Sequence, residues 1–530
     1  MRALFSPLLS LSRSLGRTLY HRTSFPAMTI RSYSDAVDSL NSLQSNAATL
    51  EALRASGGRM GEFAIPEMLE YLERIGYSPE DLNRLNVIHV TGTKGKGSTS
   101  AFTDSILRRT NPDWKVGLYT SPHLVAVRER IRINGVPISE DQFSQYFFEV
   151  WDRLDKNTSR KYPSTSLKPA YFRMVTLVAF HAFLSLKVDA TILEVGVGGT
   201  YDSTNIVPKP VVTGVTSLGL DHVNVLGKTL REIAWQKGGI FKKGVPAYTV
   251  TQPEEGMTML KERAEELKAS SFEVVTPTPE LENVKLGLAG HHQIMNAALA
   301  VAMSRKFFQL RSSTTFEEPL PESFIEGLKN AKWPGRCQSV SDPKSTGTTW
   351  FLDGAHTIES LNACIEWLVS PDAALKVPDS RLTRALIFNC TGGRTGSALL
   401  GTMLAKIGEQ LKAHSSDKDG SNFFDHVIFC TNVTYSSGTF KSDLTTHAIP
   451  EGELAALKTQ KELASAWSVL LPDFPASNIH VLPSVESAVK VIRELEGQPD
   501  NKEKVQVLVT GSLHLIGGVI EVAGLSDVAL

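Results

Sequence analysis

This sequence predicts an α/β fold in two domains, and three observations carry the prediction. A short apolar run, Val87-Ile88-His89-Val90-Thr91, breaks into a loop of glycines and lysines and then a helix-compatible segment from Ala101 to Arg108. Short apolar runs alternate with amphipathic stretches along most of the 530 residues, and polar residues and glycines gather just after the runs. Lys332-Trp333-Pro334-Gly335-Arg336 interrupts that alternation as a hinge would, and strands and helices then alternate again. Residues 35–332 are read as a phosphate-binding domain and 333–530 as an open, Rossmann-like α/β domain. The site is expected at the carboxyl ends of the strands.

The loop after the first strand, Gly92-Thr93-Lys94-Gly95-Lys96-Gly97-Ser98, has the parts of a phosphate cradle. Glycines let backbone N–H groups turn toward phosphate oxygens, a lysine adds a charge, and the following helix adds its positive N-terminus. The spacing departs from G-x-x-x-x-G-K-[ST], because Gly92 lies three residues before Gly95 and Gly97 separates Lys96 from Ser98.

The elements follow in order. Asp35 to Asn46 reads as a helix with Val37, Leu40 and Leu43 on one face, and Ile65 to Ile75 as another, with Pro66 in its first turn. Val116 to Thr120 is a strand running into Ser121-Pro122-His123-Leu124, and Asn134-Gly135 is a turn. Ala170 to Leu184 is an apolar helix. Ala190 to Glu194 is a strand ending in a carboxylate beside Gly196, Gly198 and Gly199, the place where nucleotide enzymes hold a metal-binding acid. Val211 to Leu218 is a third apolar run, ending at Asp221-His222, and Lys237 stands beside two glycines. Gly290 to Arg305 opens a helix, and 311–321 is a linker. In the second domain Trp350–Asp353, Arg384–Asn389, Asp425–Cys430, Ile479–Leu482 and Val505–Val509 read as strands. Ile358–Leu368 and Val485–Leu495 read as helices, the latter capped by Ser484, and His414–Asn422 as a mobile polar loop.

Composition removes several classes. A net charge of −1 offers no nucleic-acid surface. Four scattered cysteines form no C-x-x-C pair, which argues against a disulfide framework or zinc site. No apolar run reaches the roughly 18 residues of a membrane span. The first 34 residues differ from the rest: Arg2, Arg13, Arg17, Arg22 and Arg31 are spread among Ser, Leu and Thr, with no acidic residue before Asp35. That is the composition of a mitochondrial presequence. Met28 is a candidate second start, so mitochondrial and cytoplasmic forms are both expected.

Thr91–Ser98, Thr120-Ser-Pro-His123, Leu193-Glu-Val-Gly-Val-Gly-Gly199, Leu220-Asp-His222, Trp333-Pro-Gly-Arg336 and Asp353-Gly-Ala-His356 occur in this order. Together, over about Asp35 to Leu515, they resemble the folylpolyglutamate synthase family of the Mur ligase superfamily. Asp35–Asn46, Lys168–Arg173 and Asp353–Thr357 resemble its eukaryotic, fungal-like form. Bacterial members, often also dihydrofolate synthases, usually carry Asn where Thr357 stands.

The resemblance implies a first domain of the Mur-ligase central type and an ATP-dependent transfer of L-glutamate to the γ-carboxyl of tetrahydrofolate or its polyglutamates. Dihydrofolate synthesis and a nucleotide-binding regulatory ATPase are the alternatives. It implies that Gly95, Lys96, Gly97 and Ser98 hold the ATP phosphates, that Ser121 and Glu194 bind one Mg2+, and that His222 helps bind a second. Lys237 would be carbamylated. His292, Gln293 and Asn296 would contact the nucleotide, Arg336 and Asp353 would reach it from the second domain, and His356 and Ser512 would meet the incoming glutamate. A monovalent cation such as K+ and a monomeric enzyme complete the expectation.

Overall fold

The structure, a computed structural model, describes residues 31–44, 61, 63–163, 165–316, 319–376, 382–390, 396–414, 420–437, 442–444, 456–496 and 504–530. Residues 1–30 with Met28, and the middle of the expected 414–422 loop, lie outside the described residues.

One expectation at the N-terminus changes. Arg31, read above as a presequence arginine, belongs to the fold. Its guanidinium forks onto Asp152 at 2.9 and 2.6 Å and lies 3.9 Å over the Phe148 ring. Its carbonyl accepts from Ser144 Oγ at 2.7 Å. Ser32 and Asp35 then form a capping box on helix α1 (Tyr33–Asn41), so folded contacts reach upstream of Asp35 at least to Arg31. A local pattern of arginines and serines carries no information about a carboxylate 121 residues away.

The first sheet holds β1 (Val87–Thr91), β2 (Val116–Tyr119), β3 (Ile131–Ile133), β4 (Val136–Pro137), β5 (Ala190–Glu194), β6 (Val212–Val215), β7 (Pro246–Val250) and β8 (Ser271–Val275), in the order β4-β3-β2-β5-β1-β6-β7-β8. From β2 to β8 all neighbours in that order run parallel, while β3 and β4 add an antiparallel edge. The β3–β4 turn is the expected Asn134-Gly135, both at positive φ. Helices cover both faces, as a parallel sheet requires. Helices α2 (Ala64–Arg74), α4 (Glu140–Lys156) and α5 (Tyr171–Leu186) pack on one, and α3 (Lys96–Thr110), α6 (Gln293–Arg311) and α7 (Glu322–Asn330) on the other. The expected 290–305 helix runs on to Arg311, and the helix after the phosphate loop starts at Lys96.

The second sheet holds β9 (Gln338–Ser341), β10 (Thr348–Leu352), β11 (Leu382–Phe388), β12 (His426–Cys430), β13 (Ile479–Leu482) and β14 (Lys504–Thr510), in the order β13-β12-β11-β14-β10-β9, parallel except for β9. The chain changes sheet between Asn330 and Gln338, across the Trp333–Arg336 stretch. The last long helix, α8 (Leu513–Ala523), lies against the first domain: a Cβ on Gly517 would stand 1.9 Å from Leu124 O. Leu124 and Val125, on the loop after β2, sit in the second domain's core beside Leu515, Ile516 and Val519. The carboxyl ends of β1, β2 and β5 thereby face those of β10 and β14.

Candidate active site

A cavity of about 800 Å³ lies between these strand ends and is walled by both domains. The sequence places its phosphate side. β1 ends at Thr91, and Gly92 (φ +149°) and Gly95 (φ +90°) turn the chain so that α3 starts at Lys96 with its N-terminus toward the cavity. No side chain fits at Gly92, because a Cβ would lie 1.8 Å from Thr216 Oγ1, nor at Gly95, where Asn296 Oδ1 would be 2.1 Å away.

Two lysines meet at one carbonyl. Lys237 Nζ donates to Gly92 O at 2.7 Å and Lys96 Nζ to the same oxygen at 3.1 Å. Burial, and then repulsion from Lys96, holds the Lys237 ammonium well below its ordinary range. Burial lowers Lys96 also, opposed by the charge of Glu194. Glu194 is 3% exposed at the end of β5 and accepts from Ser121 N at 3.0 Å. Burial raises its carboxyl above the usual range, with Lys96 as the main opposing charge. Lys94 pairs with Asp221 at 3.1 Å, and the Asp221 carboxyl, despite burial, is pulled down to about 2 by Lys94 and His222. His222, at φ +50°, stands exposed at the mouth.

From the second domain, Asp353 accepts from Cys337 N at 2.7 Å and Ala355 N at 2.9 Å. Arg336 lines the same wall. His356 Nδ1 lies 2.8 Å from Gly354 O; a carbonyl only accepts, so Nδ1 carries the ring proton and Nε2 is the basic nitrogen. His292 and Asn296 line the cavity as well.

Two of the expected residues stand behind the wall. Gln293 is buried and donates to Ser98 Oγ at 3.3 Å while accepting from Asn296 Nδ2 at 2.9 Å, so it acts on the phosphate loop from behind. Ser512 is buried at the start of α8, next to Gly511, whose N–H bonds Ala355 O at 2.9 Å. Among the cavity's lining residues that were given no role from the sequence are Arg130, Tyr171, Phe172 and Asp202. Arg130 donates to His123 Nδ1 at 2.9 Å and lies 5.6 Å over the Tyr171 ring. Asp202 accepts from Val197 N and from Thr204. The signal for Tyr171 and Phe172 was present in Lys168–Arg173, but a helix start gives no sign of facing a ligand.

The metal expectation meets suitable donors. Among the described residues no three His, Cys, Asp or Glu side chains gather to hold an ion. Glu194, with Ser121 beside it, offers one buried carboxylate and a hydroxyl. That is how Mg2+ is commonly held when substrate phosphates and water supply the other oxygens.

Comparison with known proteins identifies the family. No family model matches the chain. Folylpolyglutamate synthase of Saccharomyces cerevisiae strain YJM789 is 45% identical over 512 residues, covering 94% of this chain and 88% of that protein. The Mycobacterium tuberculosis folylpolyglutamate synthase complexed with ADP and AMPPCP shares the fold, with a TM-score of 0.65 at 22% identity over 89% of this chain and 99% of that one. E. coli FolC in complex with DHPP and ADP has a TM-score of 0.59 at 25% identity, over 87% and 93% of the two chains. At 45% identity over nearly its whole length, with the ordered motifs assembled around one two-domain cavity, the chain belongs to the folylpolyglutamate synthase family.

Proposed function

We propose that this protein joins L-glutamate to the γ-carboxyl of the terminal glutamate of a tetrahydrofolate, consuming ATP and releasing ADP and phosphate. The observation that carries the reading is the shared cavity, which brings Lys96 and Glu194 of the first domain opposite Arg336, Asp353 and His356 of the second. A carboxylate is a poor acyl donor at neutral pH. Its oxygen attacks the γ-phosphorus, ADP leaves, and the resulting acyl phosphate has a good leaving group. The amine of glutamate then attacks the carbonyl, and phosphate departs with the carboxyl oxygen.

The chain's groups divide this work. The N–H groups of Gly95–Ser98 cradle the phosphates, and Lys96 neutralises charge on the transferring group. Ser121 and Glu194 would hold one Mg2+ and His222 would help hold a second, and when bound these ions would neutralise charge at the phosphate oxygens. Lys237 suits a carbamate: burial disfavours its ammonium form, its neutral amine can add CO2 with loss of one proton, and the carbamate nitrogen keeps one N–H for Gly92 O. The resulting anion would orient Lys96 and metal. Tyr171, Phe172, Arg130 and Asp202 form an aromatic wall with one cation and one carboxylate, suited to a flat pteridine bearing N–H donors. His356 Nε2 takes the proton of the glutamate ammonium, freeing the amine. Closure of the two domains excludes water from the acyl phosphate. The reading extends to K+ as a further cofactor, a monomer, and residence in mitochondria and cytoplasm through residues 1–27 and Met28. No described helix is long and apolar enough to cross a membrane.

Tetrahydrofolate carrying ¹⁸O in the γ-carboxyl tests the chemistry. Labelled phosphate, ADP and a γ-linked product are expected. AMP and pyrophosphate would mean adenylation, and a strong preference for dihydropteroate would make the protein a dihydrofolate synthase.

A further inference from the structure

His89 stands in the middle of β1, fully buried between the core residues Ile88 and Val90. Burial keeps its imidazole neutral, with the pKa pushed down to about 3. Nδ1 has no partner among the described residues, and Nε2 lies 2.9 Å from Thr204 Oγ1. Thr204 in turn donates twice to Asp202 Oδ1, from Oγ1 at 2.6 Å and from its backbone N at 3.0 Å. Burial pushes the Asp202 carboxyl up, but its Oδ1 already accepts the Thr204 backbone N–H, so the threonine hydroxyl proton goes to that same oxygen and Oγ1 receives the proton of His89 Nε2. The tautomer is thereby set, and the Nδ1 lone pair is left facing the core. An unpaired polar atom inside a sheet destabilises a fold, so packing gives no account of a histidine at this position.

The bonds end at the cavity. Asp202 Oδ2 accepts from Val197 N at 3.1 Å. Phe172 stands beside it across Gly196, where a Cβ would lie 2.5 Å from Phe172 Cζ and 3.1 Å from Asp202 Oδ2. A flat ring stacked on Phe172 would turn its edge toward that carboxylate.

We propose that Thr204 and His89 are positioning residues for the folate: the His89–Thr204–Asp202 relay fixes the carboxylate so that it accepts the N–H donors on the aminopyrimidine edge of the pteridine. Asp202 would touch the substrate, and the other two act through it. This inference rests on the folate placement argued above.

Steady-state kinetics of the full chain with tetrahydrofolate, ATP and glutamate test it. Thr204→Val keeps the shape and removes the hydroxyl. It should raise the folate KM about tenfold, the scale of one hydrogen bond to a charged group, with the KM values for ATP and glutamate unchanged. Thr204→Ser should restore it. His89→Leu, which leaves the hydroxyl free to turn from Asp202, should raise the folate KM alone and less steeply, and serves if the valine variant does not fold. A normal folate KM in Thr204→Val and His89→Leu, with a raised one in Asp202→Ala, would overturn the relay and leave the folate placement standing. A normal folate KM in Asp202→Ala would overturn the placement itself. A parallel rise of all three KM values in the threonine or histidine variant would reduce the relay to a structural role.

Discussion

Gly95→Ala is the sharpest perturbation of the phosphate loop. Gly95 has φ +90°, and an added Cβ would lie 2.1 Å from Asn296 Oδ1 and 2.9 Å from Asn296 Cγ. Ordinary contact begins at 3.4 Å, so loop and asparagine must part by 1.3 Å. A left-handed alanine costs about 1–2 kcal/mol. Asn296 is also tied to Gln293 Oε1 at 2.9 Å and to Thr99 Oγ1 at 3.4 Å, and both bonds are buried. Loosening them costs about 1 kcal/mol each. The sum is about 3–4 kcal/mol, shared between the fold and ATP binding, and if it fell wholly on ATP it would weaken binding by about 140- to 700-fold. Calorimetric titration with ATP and a thermal melt measure the two shares. A variant with wild-type ATP affinity and wild-type melting would refute the claim that this loop is shaped by contact with Asn296.

Lys96→Ala should melt like the wild type, because among the described residues its side chain hydrogen-bonds only the Gly92 carbonyl, at 3.1 Å, yet lose about 10²–10³-fold in kcat, the scale of one preorganised charge; near-normal turnover would remove Lys96 from the chemistry. Lys237→Ala should be inactive, and high formate or acetate should return part of the rate; an unmodified ammonium at that side chain in crystals grown with bicarbonate would count against the carbamate. Because burial raises the Glu194 carboxyl, it takes up a proton at a higher pH than an ordinary carboxylate. The acid limb of kcat/KM for ATP should therefore lie above the usual carboxylate range, and a limb inside that range would exclude Glu194 as its source. Fusing residues 1–30 to a fluorescent reporter should send it to mitochondria, and a diffuse signal would reject the presequence.

What could be read beforehand was local. β1, the glycine loop and α3 announce themselves through a sharp change from apolar to glycine-rich sequence, and Glu194 and Asp353 each close an apolar run. The parallel sheets follow from alternation. What could not be read depends on contacts between distant segments. Asp202 follows no strand, and its role appears only once Thr204, His89 and Phe172 surround it. Gln293 and Ser512 sit in recognisable motifs, but only the packing puts them behind the wall. Helix α4 went unread although its signal is local: Ser139 and Gln142 form a capping box, and Phe143, Phe147, Val150 and Leu154 recur at helical spacing on its buried face.

The clamp on Arg31 sets a limit on maturation. A cut just beyond this residue would discard the partner of Asp152 and the cation on Phe148, and would leave the capping box at Ser32 as a raw chain end. A polypeptide started at Met28 keeps all three features. A chain cut anywhere upstream of Arg31 and one started at Met28 would therefore keep the same anchors of the N-terminal helix.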